Sequence, residues 1–200
     1  MRTTSSVLVA AALAALVLAS DGVQAAQVSV TVTDATSGAP INKAAVAVVV
    51  GNAIVAYGIT PANGQWSKQV PDAEKAFVVV AKKLYAAQAR QVALSGQVPA
   101  SFALAKFGTD DFNRLGRIVG FVRNAAGEAI PNATLVLLKG ENAVGVTRVQ
   151  NATGLYELEW YAPGTYTVVA TAEGYVPRTY QRQEIEAGGS LWLDVDLQPR

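Results

Sequence analysis

The sequence predicts an all-β protein made of two tandem seven-stranded β-sandwiches. Three observations predict it. Apolar and polar residues alternate with period two in several short runs, most cleanly in Leu191, Leu193, Val195 and Leu197 against Trp192, Asp194 and Asp196, the pattern of a strand with one buried face. Turn-forming Gly, Pro and Asn clusters interrupt these runs about every 8–12 residues, as in a sandwich or barrel. Landmark segments then recur about ninety residues apart: Gly38-Ala-Pro-Ile-Asn-Lys-Ala-Ala-Val46 is answered by Gly127-Glu-Ala-Ile-Pro-Asn-Ala-Thr-Leu135, Asn63-Gly-Gln-Trp66 by Thr153-Gly-Leu-Tyr156, and Phe77-Val-Val-Val-Ala81 by Tyr166-Thr-Val-Val-Ala170. A repeat of that length is a whole domain, not one supersecondary unit.

From the N-terminus, Met1 to Ala25 reads as a signal peptide. Arg2 supplies a positive start, Val7 to Ala19 is apolar and uncharged, and Val23-Gln24-Ala25 offers the small residues a signal peptidase inspects, so cleavage is expected after Ala25 or Ala26. The apolar run is too short to span a bilayer, which takes about 20 residues. No Cys follows it to carry a lipid anchor. The alanine-rich signal has a bacterial character, so the address is secreted or periplasmic, and the protein is not integral to the membrane.

The first sandwich is expected over 26–106, with strands near 27–34, 44–50, 53–60, 65–70, 76–82, 88–94 and 100–106. Residues 107–115 form a linker, in which Phe107, Phe112 and Leu115 are expected to pack between the modules. The second sandwich is expected over 116–200, with strands over 117–123, 133–139, 144–150, 155–160, 165–172, 178–185 and 191–197. In its fourth strand Tyr156, Leu158 and Trp160 share one face and Leu155, Glu157 and Glu159 the other. No stretch after the signal keeps a helical period over three turns.

The second copy resembles a known family. Gly120-Phe-Val, Gly127-Glu-Ala-Ile-Pro131, Asn151-Ala-Thr-Gly154-Leu-Tyr156, Pro163-Gly-Thr-Tyr166, Gly174-Tyr175 and the closing alternating strand look like the carboxypeptidase regulatory-like domain, which implies a transthyretin-like (prealbumin-like, Ig-like) sandwich. The first copy resembles it more distantly. It keeps Pro40-Ile41, Gly64-Gln-Trp66 and Phe77, has Lys83-Leu84-Tyr85 in place of Gly-Tyr, and has no Pro-Gly turn. The resemblance implies a non-catalytic accessory module of exported and surface proteins. Tyr166 and Tyr175 are read from their positions as core or corner rings whose hydroxyls reach backbone groups.

Composition narrows the chemistry. The chain has 200 residues, 51% hydrophobic and 16% charged, with a net charge of +1, so no global field favours nucleic acid. Charge is uneven: residues 27–106 carry seven basic and three acidic side chains, residues 116–200 seven and nine. There is no His and no Cys. Ser-His-Asp and Cys-His catalysis, His or thiolate metal sites and disulfides are therefore excluded. Phosphate-binding glycine loops and a calcium-loop motif are absent from the sequence, and no cofactor is implied. Asp194 with Asp196, and Asp110 with Asp111, are read as edge or linker charge, the alternative being a weak Ca²⁺ site completed by carbonyls. A lysine–asparagine crosslink is not expected, because neither first strand carries a Lys.

What remains is a binding role. The expected partner is a protein or another component of the cell envelope. The alternative ligand is carbohydrate, in the manner of a starch-binding module, with exposed aromatic planes beside polar groups: Trp192, Asp194 and Asp196 on the last strand, and Trp160, Tyr161 and Tyr180 near loops. An unrecognised hydrolase built on pairs among Glu157, Glu159, Glu184 and Glu186 is a third reading, and it requires a cleft.

Overall fold

The computed structural model describes residues 25–200. Residues 1–24, and with them nearly all of the expected signal peptide, lie outside that range. The sequence alternation becomes two sandwiches. In the first, β1 (Ala25–Asp34) runs between β4 (Gln65–Pro71) and β7 (Gln97–Leu104), antiparallel to β4 and parallel to β7. Facing this sheet is an antiparallel one in the order β3 (Ala53–Ile59), β2 (Ala45–Val50), β5 (Ala73–Ala81), β6 (Gln88–Leu94). The second sandwich repeats the plan. β8 (Gly116–Asn124) lies between β11 (Leu155–Tyr161) and the closing strand, and the facing sheet is β10 (Asn142–Arg148), β9 (Thr134–Lys139), β12 (Gly164–Thr171), β13 (Arg178–Ile185).

Corresponding turns take the same shape in both copies. Gly64 and Gly154 have φ of 69° and 81°. A Cβ there would stand 2.4 Å from the Val32 carbonyl oxygen and 2.6 Å from that of Val122, so neither position admits a side chain without moving the first strand. In the first copy Leu84, at φ 67°, occupies the place of Gly174. This is how Lys-Leu-Tyr substitutes for Gly-Tyr.

Each sandwich has its own core. Val28, Val30, Val46, Val78 and Leu104 are buried in the first, and Ile118, Leu135, Leu137, Leu158 and Leu197 in the second. A third core lies between the sandwiches and was not anticipated. Ala47, Val49, Phe77 and Val79 of the first meet Val136, Leu138, Ala143, Val146 and Val169 of the second. The central strands of the sheets β3-β2-β5-β6 and β10-β9-β12-β13 are thus buried on both faces, and the molecule is a four-layer stack. Phe107 and Phe112 of the linker pack between the modules as expected: Phe107 donates its N–H to the Leu84 carbonyl at 3.0 Å, its ring meets that of Phe112 at 6.3 Å, and Phe112, on the one-turn helix α1 (Asp111–Arg114), packs edge-on against Trp160 of the second sandwich. The sheet pair is a second and more extensive junction.

Two local irregularities also depart from the expected pattern. The closing strand is divided into β14 (Ser190–Trp192) and β15 (Val195–Leu197), both parallel to β8. Between them the Leu193 carbonyl passes over Gly120, where a Cβ would stand 1.9 Å from its oxygen. That oxygen accepts the Tyr156 hydroxyl at 2.7 Å, and the Asp194 carboxylate accepts the Phe121 N–H at 2.9 Å. Inward and outward positions survive the break. In β11, by contrast, Trp160 adopts φ 63° and the register shifts between Leu158 and Tyr161. This bulge reverses the alternation: Tyr161, not Trp160, enters the core.

Candidate functional site

The outward face of β11-β8-β14/β15 holds the most exposed of the candidate aromatic residues. Strand register sets its rows. Glu157 lies beside Val119 and Trp192, Leu155 beside Phe121, and Arg123 beside Asp196. Trp192 is 59% exposed although its strand is paired. Its ring meets Phe121 edge-on at 5.6 Å and 63°, and the Arg123 guanidinium lies 4.4 Å from the Phe121 ring centre. Trp192, Phe121 and Arg123 therefore form one aromatic–cation cluster.

The six residues expected to form a ligand surface do not form one surface. Trp192, Asp194 and Asp196 belong to this face, but one Asp194 oxygen is occupied by Phe121 N–H. Tyr180 closes the sandwich edge instead: its hydroxyl accepts the Asp196 N–H at 2.9 Å, and Arg178 lies over its ring at 5.2 Å. Trp160 is half-buried, set between Phe112 at 4.6 Å and the Arg117 guanidinium at 5.6 Å. Tyr161 is 9% exposed and packs on Tyr166. Burial pushes its hydroxyl well above the ordinary tyrosine range, and it is a core residue. Tyr166 has its expected corner role, with the hydroxyl donating to the Ala162 carbonyl at 2.6 Å.

Glu157 and Glu159 flank the same cation. Lys83 reaches them from the first sandwich at 3.5 and 3.4 Å, and Arg117 stands 3.9 Å from Glu157. Contact with Glu159 and the neighbouring cations lower Glu157, while burial raises Glu159. The two carboxyls hydrogen-bond to each other, whereas a pair that straddles a glycosidic bond stands about 5–9.5 Å apart. Sequence reasoning missed Lys83, Phe121 and Arg123. The last two were legible as outward positions of β8, whereas Lys83 meets its partners only through the packing of the two sandwiches.

Among the described residues no group of three or more acidic side chains converges as a metal site. Asp111 is engaged locally by the Gly108 N–H and Arg114. No helix of the described residues is long and apolar enough to cross a membrane.

These features define a class, a tandem β-sandwich protein fused through its inner sheets. Residues 117–198, the second sandwich, match the carboxypeptidase regulatory-like domain. No curated protein matches the chain. Among solved structures, a mutant of the shaft pilin SpaA from Lactobacillus rhamnosus GG is similar over 88% of this chain and 99% of its own, at 14% identity and a TM-score of 0.35. GBS52, the minor pilin of Streptococcus agalactiae, is similar over 88% and 96%, at 12% identity and a TM-score of 0.34. The Bacillus anthracis TIE protein is similar over 88% of this chain at 14% identity and a TM-score of 0.34, and this chain spans about a third (34%) of it.

Proposed function

We propose that this is a non-catalytic exported module that binds a protein partner of the cell envelope through the outward face of β11-β8-β14/β15. The Trp192–Phe121–Arg123 cluster carries the reading. An exposed Trp beside a half-buried Arg, held on a rigid sheet and ringed by charges of both signs, presents the residue types that dominate protein-binding energy. The sandwich itself does not require them. By strand register the equivalent positions of the first copy are Pro99, Thr31 and Thr33, and that sheet forms without an aromatic on its outer face.

The test is a photo-crosslinking side chain placed at Trp192, or at Pro99, in the exported full-length chain. Discrete protein adducts from position 192 that position 99 does not give are the expected result. Equal labelling from both, or none, sinks the proposal. Carbohydrate binding has less support, because the Trp192 and Phe121 rings stand at 63° and make no flat platform. Binding to a glycan array that Trp192→Ala abolishes would restore it.

Export through cleavage of the N-terminal segment is part of the same proposal. Ala26 is fully buried and pairs with Val70, so cleavage after Ala25 removes only the exposed first residue of β1, whereas cleavage after Ala26 removes a core residue. Intact-mass measurement of the exported protein is expected to show Ala26 as its first residue.

A further inference from the structure

The two inner sheets do not meet along their whole width. Between the turn regions of the first sandwich and β10–β11 of the second, they leave a cleft of about 560 Å³, within the range of small-molecule sites, which favour domain junctions. Its walls carry Lys43, Lys82, Lys83 and Arg148, with Glu157 and Glu159 also lining it. Lys83 is paired with the two glutamates. Among the described residues, Lys43, Lys82 and Arg148 form no ion pair.

Further observations point to an anion site. Arg148 lies 5.1 Å from the Tyr57 ring, and its Nε is shut off from solvent with no acceptor. The Tyr57 hydroxyl is likewise buried and unpartnered; Gln150 stands near it without reaching hydrogen-bond geometry. Buried donors left unmatched each cost about 1–3 kcal/mol. Lys82 is in contact with the Lys43 backbone, its Nζ donating to that carbonyl at 3.4 Å, and burial followed by repulsion from Lys43 lowers its ammonium. A bound oxyanion would supply acceptors and offset this uncompensated positive charge. The glutamates offer acceptors for hydroxyl groups.

We propose that this cleft binds a small hydroxylated anion, a sugar carrying a carboxylate or a phosphate, with its oxyanion among Lys43, Lys82 and Arg148. The site is separate from the Trp192 face and does not depend on the function proposed for it.

The test is calorimetric titration of the folded chain with glucuronate, glucose 6-phosphate and glucose. Saturable binding of either acid without binding of glucose is expected, and the acid that binds identifies the oxyanion. Lys43→Ala and Lys82→Ala are each expected to weaken it at least about tenfold, while Lys68→Ala, an equal loss of charge on β4, leaves it unchanged. NMR is expected to show the Lys82 ammonium titrating at higher pH in the complex than in the free protein. Arg148→Lys, which keeps the charge and removes Nε, separates the guanidinium's hydrogen bonds from its charge and is expected to weaken binding. No saturation by about 50 mM, glucose binding as well as the acids, or equal loss in Lys68→Ala would overturn the proposal.

Discussion

The outward faces of the two sandwiches are built on the same sheet of the repeat. On the first, register aligns Gln69 with Gln27 and Gln97, Ser67 with Ser29 and Pro99, and Gln65 with Thr31 and Ser101. These rows are uncharged and carry no aromatic ring. On the second, the corresponding places hold Glu157, Val119 and Trp192, then Leu155 and Phe121. The inward positions of both are apolar and buried. The chain thus contains its own control. The frame demands inward apolar residues and a few special turns, and it leaves the outward side chains free, so an aromatic–charged cluster on one face only is not a requirement of the fold. The central strands of the inner sheets teach the reverse lesson: they have no free face, and both layers are spent on burial.

The largest effect is expected at that shared layer. Leu138 is 2% exposed and lies in the core between the sandwiches. Leu138→Ala is expected to cost about 2–5 kcal/mol, and the whole chain is expected to unfold in urea as one cooperative transition. Two separated transitions in the parent protein would show that the sandwiches are independent and break the comparison between free and spent faces.

That layer was written in the sequence in a form that a sandwich reading passes over. Ala45-Val-Ala-Val-Val-Val50 and Leu135-Val-Leu-Leu138 are unbroken apolar runs. Period-two alternation disappears where both faces of a strand are covered, so such runs mark doubly buried strands. The strands themselves, the repeat and the outward direction of Trp192 followed from alternation and turn residues. The bulge at Trp160 did not, because nothing in Glu-Trp-Tyr announces a positive φ. Its one-residue shift is why Tyr161 is in the core. Lys83 and the junction cleft arise from residues far apart in the chain that only the stacking of the sheets brings together.

The closing strands sharpen the comparison next. In the first copy β7 pairs with β1 without interruption and Val30 fills the inward position. In the second, Gly120 takes the equivalent place and the Leu193 carbonyl occupies the space of a side chain. Gly120→Ala must push backbone against backbone and is expected to cost about 2–4 kcal/mol. Asp194→Ala removes only the acceptor for Phe121 N–H and is expected to cost about 1 kcal/mol. Chemical denaturation of both variants measures the difference, and a neutral Gly120→Ala would show that the split in the strand does not depend on that glycine.

The turns after β1 and β8 offer a pH-dependent contrast. Asp34 accepts the N–H groups of Thr36 and Ser37 at 3.0 and 2.9 Å and the Tyr85 hydroxyl at 3.0 Å, with Lys106 at 3.6 Å. The Ser37 N–H bond leads these in holding its carboxyl well below the usual carboxylate range. At the same place in the second copy Asn124 accepts the N–H groups of Ala126 and Glu128 with no charge to lose. Because the folded pKa is depressed, the stabilisation is complete above the unfolded value of about 4 and is lost as pH falls through the folded one. Asp34→Asn is expected to keep the turn, as Asn124 does, and to flatten the fall in Tm between about pH 5 and 2. An unchanged acid slope would remove Asp34 from that role.

The smallest expected effect lies where the first sandwich reaches the edge of the second. Lys83 is largely exposed while Glu159 is not, with side chains 69% and 15% accessible, so the ion pairs contribute at most about 1 kcal/mol. Their sign with pH is more informative than their size. Burial already raises Glu159, and removing Lys83 takes away a group that favours its charged form. A carboxyl raised in the folded state favours folding while protonated and loses that advantage as pH rises from the unfolded value to the folded one. Lys83→Ala is therefore expected to be least destabilising at low pH, where Glu159 and then the depressed Glu157 are protonated, and most destabilising by about pH 8, with the difference shrinking in high salt only as far as the half-buried Glu159 is screened. A pH-independent loss would instead mean that the aliphatic stem of Lys83, packed across the junction, matters more than its charge.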